Sequence, residues 1–253
     1  MNKINLNEYT MLKKTLSGIL DNVSSLEIEK LIESTYCTNN SESFDELLSW
    51  FTDIKNNLSA SVEKINLNDL VSWSSDEGGN YKHESGRFFE IFGLRILNSA
   101  TREVGLGGWD QPIISEVDFD GGILGLLRTN IQGLPHYLVE AKFEPGNYEL
   151  IQLSPTLQAT FSNIKKAHRG SEPKYYEFFK DYESSENFIF KQWLSEDGGR
   201  LFNKKNLGLV RNIEFEQISD LDNNFKWVSK FQIKQFINQG PYVNPHLARL
   251  IFL

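Results

Sequence analysis

Apolar residues recur at helical spacing through the N-terminal part of the chain. Leu12, Leu16, Ile19, Leu20 and Val23 fall on one helical face. Ser24 with Glu27 has capping-box spacing ahead of Leu31 and Ile32, and Ser43 with Glu46 repeats it ahead of Leu47, Leu48 and Phe51. A helical region over roughly residues 5 to 65 follows, with residues 37 to 42 as a polar loop. From Trp73 the pattern changes to a Gly/Ser-rich stretch, then an apolar run from Phe88 to Leu94. Between Pro112 and Thr160 short apolar runs broken by glycine predict strands at Ile113–Val117, Ile123–Thr129, Leu134–Phe143 and Tyr148–Ser154, with a turn at Glu144-Pro145-Gly146-Asn147. The aromatic segments KYYEFFKDY (174–182) and ENFIFKQWL (186–194) read as helical, Leu207–Val210 as a strand, and Ser229–Ile237 as a helix. Helices and a largely antiparallel or mixed sheet make the expected class α+β, with a helical region over residues 1–70 and a main domain over 71–253.

Composition narrows the function. The 253 residues carry 26 Lys+Arg against 34 Asp+Glu, a net charge of −8, which argues against a nucleic-acid partner bound through its phosphates. Hydrophobic content of 40% is ample for a core. A single cysteine, Cys37, excludes a disulfide framework and a cysteine-rich metal site. No apolar run approaches the roughly 20 residues needed to cross a bilayer. The opening MNKINLNEYT lacks a signal-peptide core. A soluble, cytoplasmic protein without a membrane partner is expected.

The densest candidate chemistry lies in HYLVEAKFE (136–144). On a strand, Tyr137, Val139, Ala141 and Phe143 face the core, while His136, Leu138, Glu140, Lys142 and Glu144 share the other face. That face is either a solvated mixed-charge surface or the wall of a site whose charges perturb one another. Next come Gln152, Ser154, Thr156, Gln158, Thr160, Ser162 and Asn163, neutral hydrogen-bonding side chains suited to sugar hydroxyls, a carbonyl or a pyrimidine edge. The plain alternative is a loop whose side chains cap their own backbone. Lys165, Lys166, His168 and Arg169, with Arg87 and Arg128, supply cations fit for a diphosphate or an exposed helix face. Trp73 and Trp109 suit a base stack or simple burial. A P-loop and a Rossmann fingerprint are both lacking, His83 and His136 lack zinc-site spacing, and Cys37 has no histidine near it in sequence.

Several strings carry a resemblance: HESGRFF (83–89), WDQPII (109–114), GILGLLR (122–128), LVEAKFEPGN (138–147) and QLSPTLQATFSN (152–163). From about Trp73 to the C-terminus the chain resembles the NDP-hexose 2,3-dehydratase family. That resemblance implies a Nudix-like mixed β-sheet flanked by helices. Arg102-Glu103-Val104 is similar to the end of a Nudix box, yet Gly105-Leu106-Gly107-Gly108 stands where paired glutamates would bind magnesium, so a metal-dependent pyrophosphohydrolase is not expected. Family members usually hold two such modules in tandem, so the resemblance implies that a homodimer supplies the second. The ending VNPHLARLIFL (243–253) departs from the family's usual Asn-Met-Asp followed by Arg, with Asn244 and Arg249 keeping part of that role.

The implied reaction removes water across C2 and C3 of an NDP-4-keto-6-deoxyhexose, with dTDP the usual carrier. The C3 proton is acidified by the C4 ketone, so a base, an oxyanion holder and an acid suffice. No redox cofactor and no metal are expected. Mapped onto this chain, Lys142 holds the C4 oxyanion, Glu140 or Glu144 is the base, and His83 is the rival acid or base. Arg87 grips the diphosphate. Trp73, Trp109, Gln111, Arg128, Gln152, Ser154, Gln158, Thr160, Asn163, Lys166 and His168 complete the implied substrate contacts. A downstream 3-ketoreductase would consume the 3,4-diketo product. The alternatives are a non-catalytic nucleotide-sugar-binding module and another NDP-keto-sugar enzyme such as an isomerase.

Overall fold

Each N-terminal helix starts on a capping box. α1 (Leu6–Ile19), α2 (Ser25–Thr35) and α3 (Phe44–Asn56) follow Asn5, Ser24 and Ser43, whose side chains accept from the N–H of Glu8, Glu27 and Glu46. Those glutamates accept in turn from the cap N–H, so two otherwise unpaired donors are satisfied at each start. The computed structural model describes residues 3–36, 42–97, 107–117, 121–165, 171–184 and 187–252. Among them no helix is long and apolar enough to cross a membrane.

Two sheets follow. β1 (Trp73–Ser75), β2 (Tyr81–His83), β3 (Phe89–Ile96) and β4 (Trp109–Glu116) form an antiparallel sheet in that order. The larger sheet holds β5 (Gly122–Ile131), β6 (Leu134–Phe143), β7 (Ile151–Pro155), β8 (Leu157–Thr160), β9 (Phe188–Ser195), β10 (Lys205–Asn212) and β11 (Phe225–Val228). Its order is β11-β6-β5-β10-β9, and β5 with β10 is the parallel pair that makes it mixed. Short α4 (Phe161–Ile164) follows β8, and α5 (Lys230–Gln239) and α6 (Pro245–Phe252) end the chain. The class is α+β, as expected.

The larger sheet splits. β6 pairs with β5 from Ile131↔Leu134 to Leu127↔Leu138 and then diverges. β7 takes over the far half of β6, from Val139↔Pro155 to Phe143↔Ile151, while β8 takes the near half of β5, from Gly122↔Thr160 to Gly125↔Leu157. Thr156 sits at the fork. Its hydroxyl accepts from the Leu127 N–H at 3.0 Å and donates to the Leu138 carbonyl at 2.6 Å, filling the rung the parted strands leave open. Residues 242–244 run along β7, with the Leu153 N–H donating to Tyr242 O at 2.7 Å and the Asn244 N–H to Leu153 O at 2.9 Å.

Both faces of this sheet are covered. Tyr137, Val139 and Ala141 pack with α3, α5 and α6 through Phe51, Phe236, Leu247 and Leu250. Leu138 points the other way, into a cluster with Leu157, Phe179, Leu209 and Phe225. The alternation expected for 136–144 is thus present. On that second face Gly125 lets Phe179 close in, since a Cβ there would lie 2.6 Å from the ring. α1 and α2 pack on Leu134 through Tyr9, Ile28 and Ile32.

Three expectations give way. ENFIFKQWL is not helical: β9 covers Phe188–Ser195 and pairs antiparallel with β10, because β-branched and aromatic side chains suit a sheet edge. KYYEFFKDY winds through turns around a short 3-10 segment at Tyr176–Phe178 entered from Tyr175 at φ 61°, a left-handed conformation that prevents a continuous helix. The strand expected from Tyr148 begins only at Ile151, since Tyr148–Leu150 is a 3-10 turn with Glu149 and Leu150 at positive φ. The turn at 144–147 is present, with the Asn147 N–H donating to Glu144 O at 3.0 Å. Helix α5 starts on Ser229, as expected.

Candidate functional site

The fork in the sheet opens on a cavity of about 300 Å³. Gln158 and Thr160 enter it from β8, Asn163 from α4, and Glu144 from the turn after β6. Glu116 comes from the end of β4, Glu196 and Lys204 from the β9–β10 connection, Asn206 from the start of β10, and His246 from the first turn of α6. The buried Asn244 organises the back wall. Its amide donates to Ser154 Oγ at 2.9 Å and Gln158 Oε1 at 3.0 Å, while its oxygen accepts from the Leu247 N–H at 2.8 Å and caps α6. With its oxygen held in this way, Gln158 keeps two amide protons for a ligand acceptor.

Charge in this cavity is arranged in pairs. The Glu196 side chain is 7% exposed. It accepts from Asn206 Nδ2 at 2.7 Å and faces Arg249 at 3.2 Å and His246 Nδ1 at 3.4 Å. Lys204, 13% exposed, is ion-paired with Glu116, whose second oxygen accepts from the Gly121 N–H at 2.9 Å. Burial lowers the His246 pKa below the ordinary histidine value. Glu196 opposes the shift, and the Arg249 and Lys204 cations reinforce it. The ring is therefore neutral at neutral pH, which makes it a proton acceptor. A neutral imidazole, a carboxylate behind it and an ammonium in the same cavity can take a proton from carbon and steady the resulting negative oxygen.

Of the residues chosen from the sequence, Glu144, Gln158, Thr160 and Asn163 line this cavity. Ser154 and Gln152 stand behind it. Ser154 is bound to Asn244, and the Gln152 amide donates to Pro241 O at 2.7 Å. Glu140 and Lys142 are half-buried one strand away, with Lys142 Nζ 3.4 Å from Glu140 Oε2 and Asn224 donating to Glu140 Oε1 at 3.1 Å. Burial pushes the Glu140 carboxyl above the usual carboxylate range, against the pull of Lys142. Ser154 lies opposite Glu140 in register, so the pair is tied to the cavity through Ser154, Asn244 and Gln158 without lining it.

The remaining candidates lie elsewhere. His83 and Arg87 line a second cavity of about 390 Å³ on the smaller sheet, where Trp73 packs edge-on against His83 at 5.4 Å. His83 Nδ1 lies 2.7 Å from Ser85 Oγ. Glu116 and Val117, consecutive in sequence, line one cavity each. Trp109 donates to Gln111 at 2.7 Å, and Gln111 donates to Gly199 O at 2.8 Å, tying β4 to the β9–β10 connection. Arg128 is buried against α2, bound to Glu29 at 2.7 Å, Glu33 at 3.0 Å and Asn212 at 3.1 Å. The buried His136 donates from Nδ1 to Leu134 O at 2.9 Å and lines neither cavity. Lys166 and His168, like Cys37 and the 102–104 motif, fall outside the described residues.

Sequence reasoning passed over Glu116, Glu196, Lys204, Asn206 and His246. Two signals were present. Asn244-Pro245 ahead of Leu247, Leu250 and Ile251 is a cap, a proline at the first helical position and an apolar stripe, which places His246 in a first turn. Glu196-Asp197-Gly198-Gly199 marks a connection between strands.

A split mixed sheet covered by helices, with a polar cavity of paired charges at the fork, defines an α+β domain built to hold a small polar molecule. The match to known proteins is more particular. The family model for NDP-hexose 2,3-dehydratase matches residues 44–252, and the chain belongs to that family. It is 35% identical over 211 residues to a dTDP-4-dehydro-6-deoxy-α-D-glucopyranose 2,3-dehydratase of Amycolatopsis orientalis, covering 79% of this chain and 42% of that protein. A protein of the same name from Saccharopolyspora spinosa is 33% identical over 236 residues, covering 87% of this chain and 47% of its own length. The chain thus spans less than half the length of these curated relatives. The solved structure of C. elegans Ap4A hydrolase is 11% identical and superposes with a TM-score of 0.30, covering 52% of this chain and 93% of that one.

Proposed function

We propose that this chain catalyses 2,3-dehydration of an NDP-4-keto-6-deoxyhexose, with dTDP-4-keto-6-deoxyglucose as the substrate. The observation that carries the reading is the cavity at the sheet fork. Its walls come from the family strings at 138–147 and 152–163, through Glu144, Gln158, Thr160 and Asn163, and its charges suit proton abstraction next to a ketone. The names of the relatives from A. orientalis and S. spinosa supply the substrate. In this reading the keto-sugar occupies the fork, Gln158, Thr160, Asn163 and Glu144 meet its hydroxyls, and Lys204 faces the C4 oxygen. Lys142 with Glu140 supports the wall from the neighbouring strand. The nucleotide lies against Trp73, His83 and Arg87, since Glu116 and Val117 bring the two cavities to adjacent residues.

The chemistry follows from the ketone. Loss of the C3 proton gives an enolate, whose collapse expels the C2 hydroxyl as water. The enol left behind tautomerises to a 3,4-diketone. Such a product calls for a 3-ketoreductase downstream. A homodimer, supplying a second module beside this one, and a cytoplasmic setting belong to the same proposal. One incubation tests the activity: purified protein, dTDP-4-keto-6-deoxyglucose, a 3-ketoreductase and NADPH should yield a 2,6-dideoxy sugar nucleotide. Binding without turnover would make the chain a binding module, and an isomerised hexose that keeps its C2 oxygen would make it an isomerase. Light scattering at assay concentration tests the dimer, which a monomeric active species would refute.

A further inference from the structure

We propose that His246, set by Glu196, is the base that removes the C3 proton. This rests on the dehydratase reading and adds the group that performs its first step. Three observations converge. His246 lines the fork cavity beside Lys204. Its Nδ1 is buried and lies 3.4 Å from Glu196 Oε1, close to the carboxylate without a hydrogen bond between them. Glu196 is itself immobilised by Asn206 and Arg249, and Arg249 also donates to Ser195 O at 3.0 Å. A carboxylate held from two sides beside Nδ1 favours the proton on that nitrogen and the lone pair on Nε2, the arrangement that makes an imidazole an efficient acceptor. The charged groups around the ring are Glu196, Arg249 and Lys204, with Glu144 and Glu116 on the same cavity wall. Burial and the two cations keep the ring unprotonated at neutral pH.

The step balances without a further reactant. Nε2 takes the C3 proton, the C–H electron pair becomes the C3=C4 bond, and the charge resides on the C4 oxygen near Lys204. Re-forming the C4 carbonyl moves the double bond to C2=C3 and breaks the C2–O bond. The imidazolium returns its proton to the departing hydroxide, water leaves, and the ring is neutral again. Glu196 touches no reacting atom and acts as a positioning residue.

The test compares wild type, His246→Ala and Glu196→Gln in the trapped-product assay, and follows exchange of the C3 hydrogen in D2O by NMR. His246→Ala should lose at least about a hundredfold in turnover, keep its affinity for dTDP, and regain activity when imidazole is added. Glu196→Gln should lower kcat with little change in KM and displace the acid limb of kcat/KM, which in wild type lies below about pH 6.5. A purely structural role would leave that limb in place. An active wild type with a His246→Ala variant inside threefold of it overturns the base assignment alone. Wild type that exchanges C3 hydrogen without losing water, with the exchange abolished in His246→Ala, supports the base and overturns the dehydratase reading. A wild type that neither dehydrates nor exchanges overturns both.

Discussion

Replacing Arg128 with Met separates a structural cation from a substrate contact. The guanidinium is 4% exposed and sits between Glu33, fully buried, and Glu29, 18% exposed. Tyr137 donates to the other oxygen of Glu33 at 2.7 Å. Removal of Arg128 leaves Glu33 in the interior without its main cation. Glu29 is exposed enough to turn towards water and towards its other partner, Lys13. Deleting one member of a buried pair costs about 3–5 kcal/mol. The remaining Tyr137 hydrogen bond and the positive field of Lys230 near Glu33 place the expected loss at the lower end, about 3 kcal/mol. For a domain of this size that corresponds to a Tm lower by roughly 6–12 °C. Urea unfolding with an unchanged m value reads the loss directly. The double variant Arg128→Met, Glu33→Leu removes the stranded charge and should recover most of it, less about 1 kcal/mol for the orphaned Tyr137 hydroxyl. Because Arg128 holds α2 on the sheet and lines neither cavity, kcat/KM per folded molecule should stay within threefold of wild type. A variant that keeps its stability but loses activity would refute this placement and return Arg128 to the substrate.

Other perturbations test other parts of the structure. Gly125→Ala drives a methyl to 2.6 Å from the Phe179 ring and should cost about 1–3 kcal/mol by urea unfolding, part of it recovered by Phe179→Leu. Burial lowers the pKa of both His136 and His246, so the unfolded chain binds protons more readily than the fold. Their contribution is complete above about pH 6.5 and is lost as pH falls below it, so the urea midpoint should drop between pH 7.5 and 5.5, less steeply in His246→Asn. Lys204→Met should cut turnover about a hundredfold if its ammonium holds the C4 oxyanion, and Lys142→Met, one strand back, about tenfold with the fold intact. Equal losses would place both ammonium groups at the same oxygen.

How far the fold is legible from the chain depends on what decides each element. The caps at Ser24 and Ser43 are local chemistry, and both expected boxes are present. The alternation at 136–144 is local too, since burial of one face repeats every second residue. β9 is different. Its aromatics permit either a helical or an extended reading, and pairing with β10, which follows it in the chain, selects the strand. The short strands β1 and β2 carry no apolar alternation and exist through their pairing with each other and with β3.

The same division explains the site. Glu144, Gln158, Thr160 and Asn163 lie in two nearly adjacent strings, so a reading along the chain reaches them together. Glu116, Glu196, Lys204 and His246 are scattered over more than a hundred positions on β4, the β9–β10 connection and α6, and meet only in the folded chain. Thr156 closes the fork from within, Asn244 spans it, and the β9–β10 connection lies across its mouth. None of these contacts has a sequence period. Reading along the chain therefore reaches the neutral part of the cavity wall and misses most of its charged residues. Lys142 shares a strand face with Glu140 and Glu144, and its ammonium lies 3.4 Å from Glu140, one strand back from the cavity.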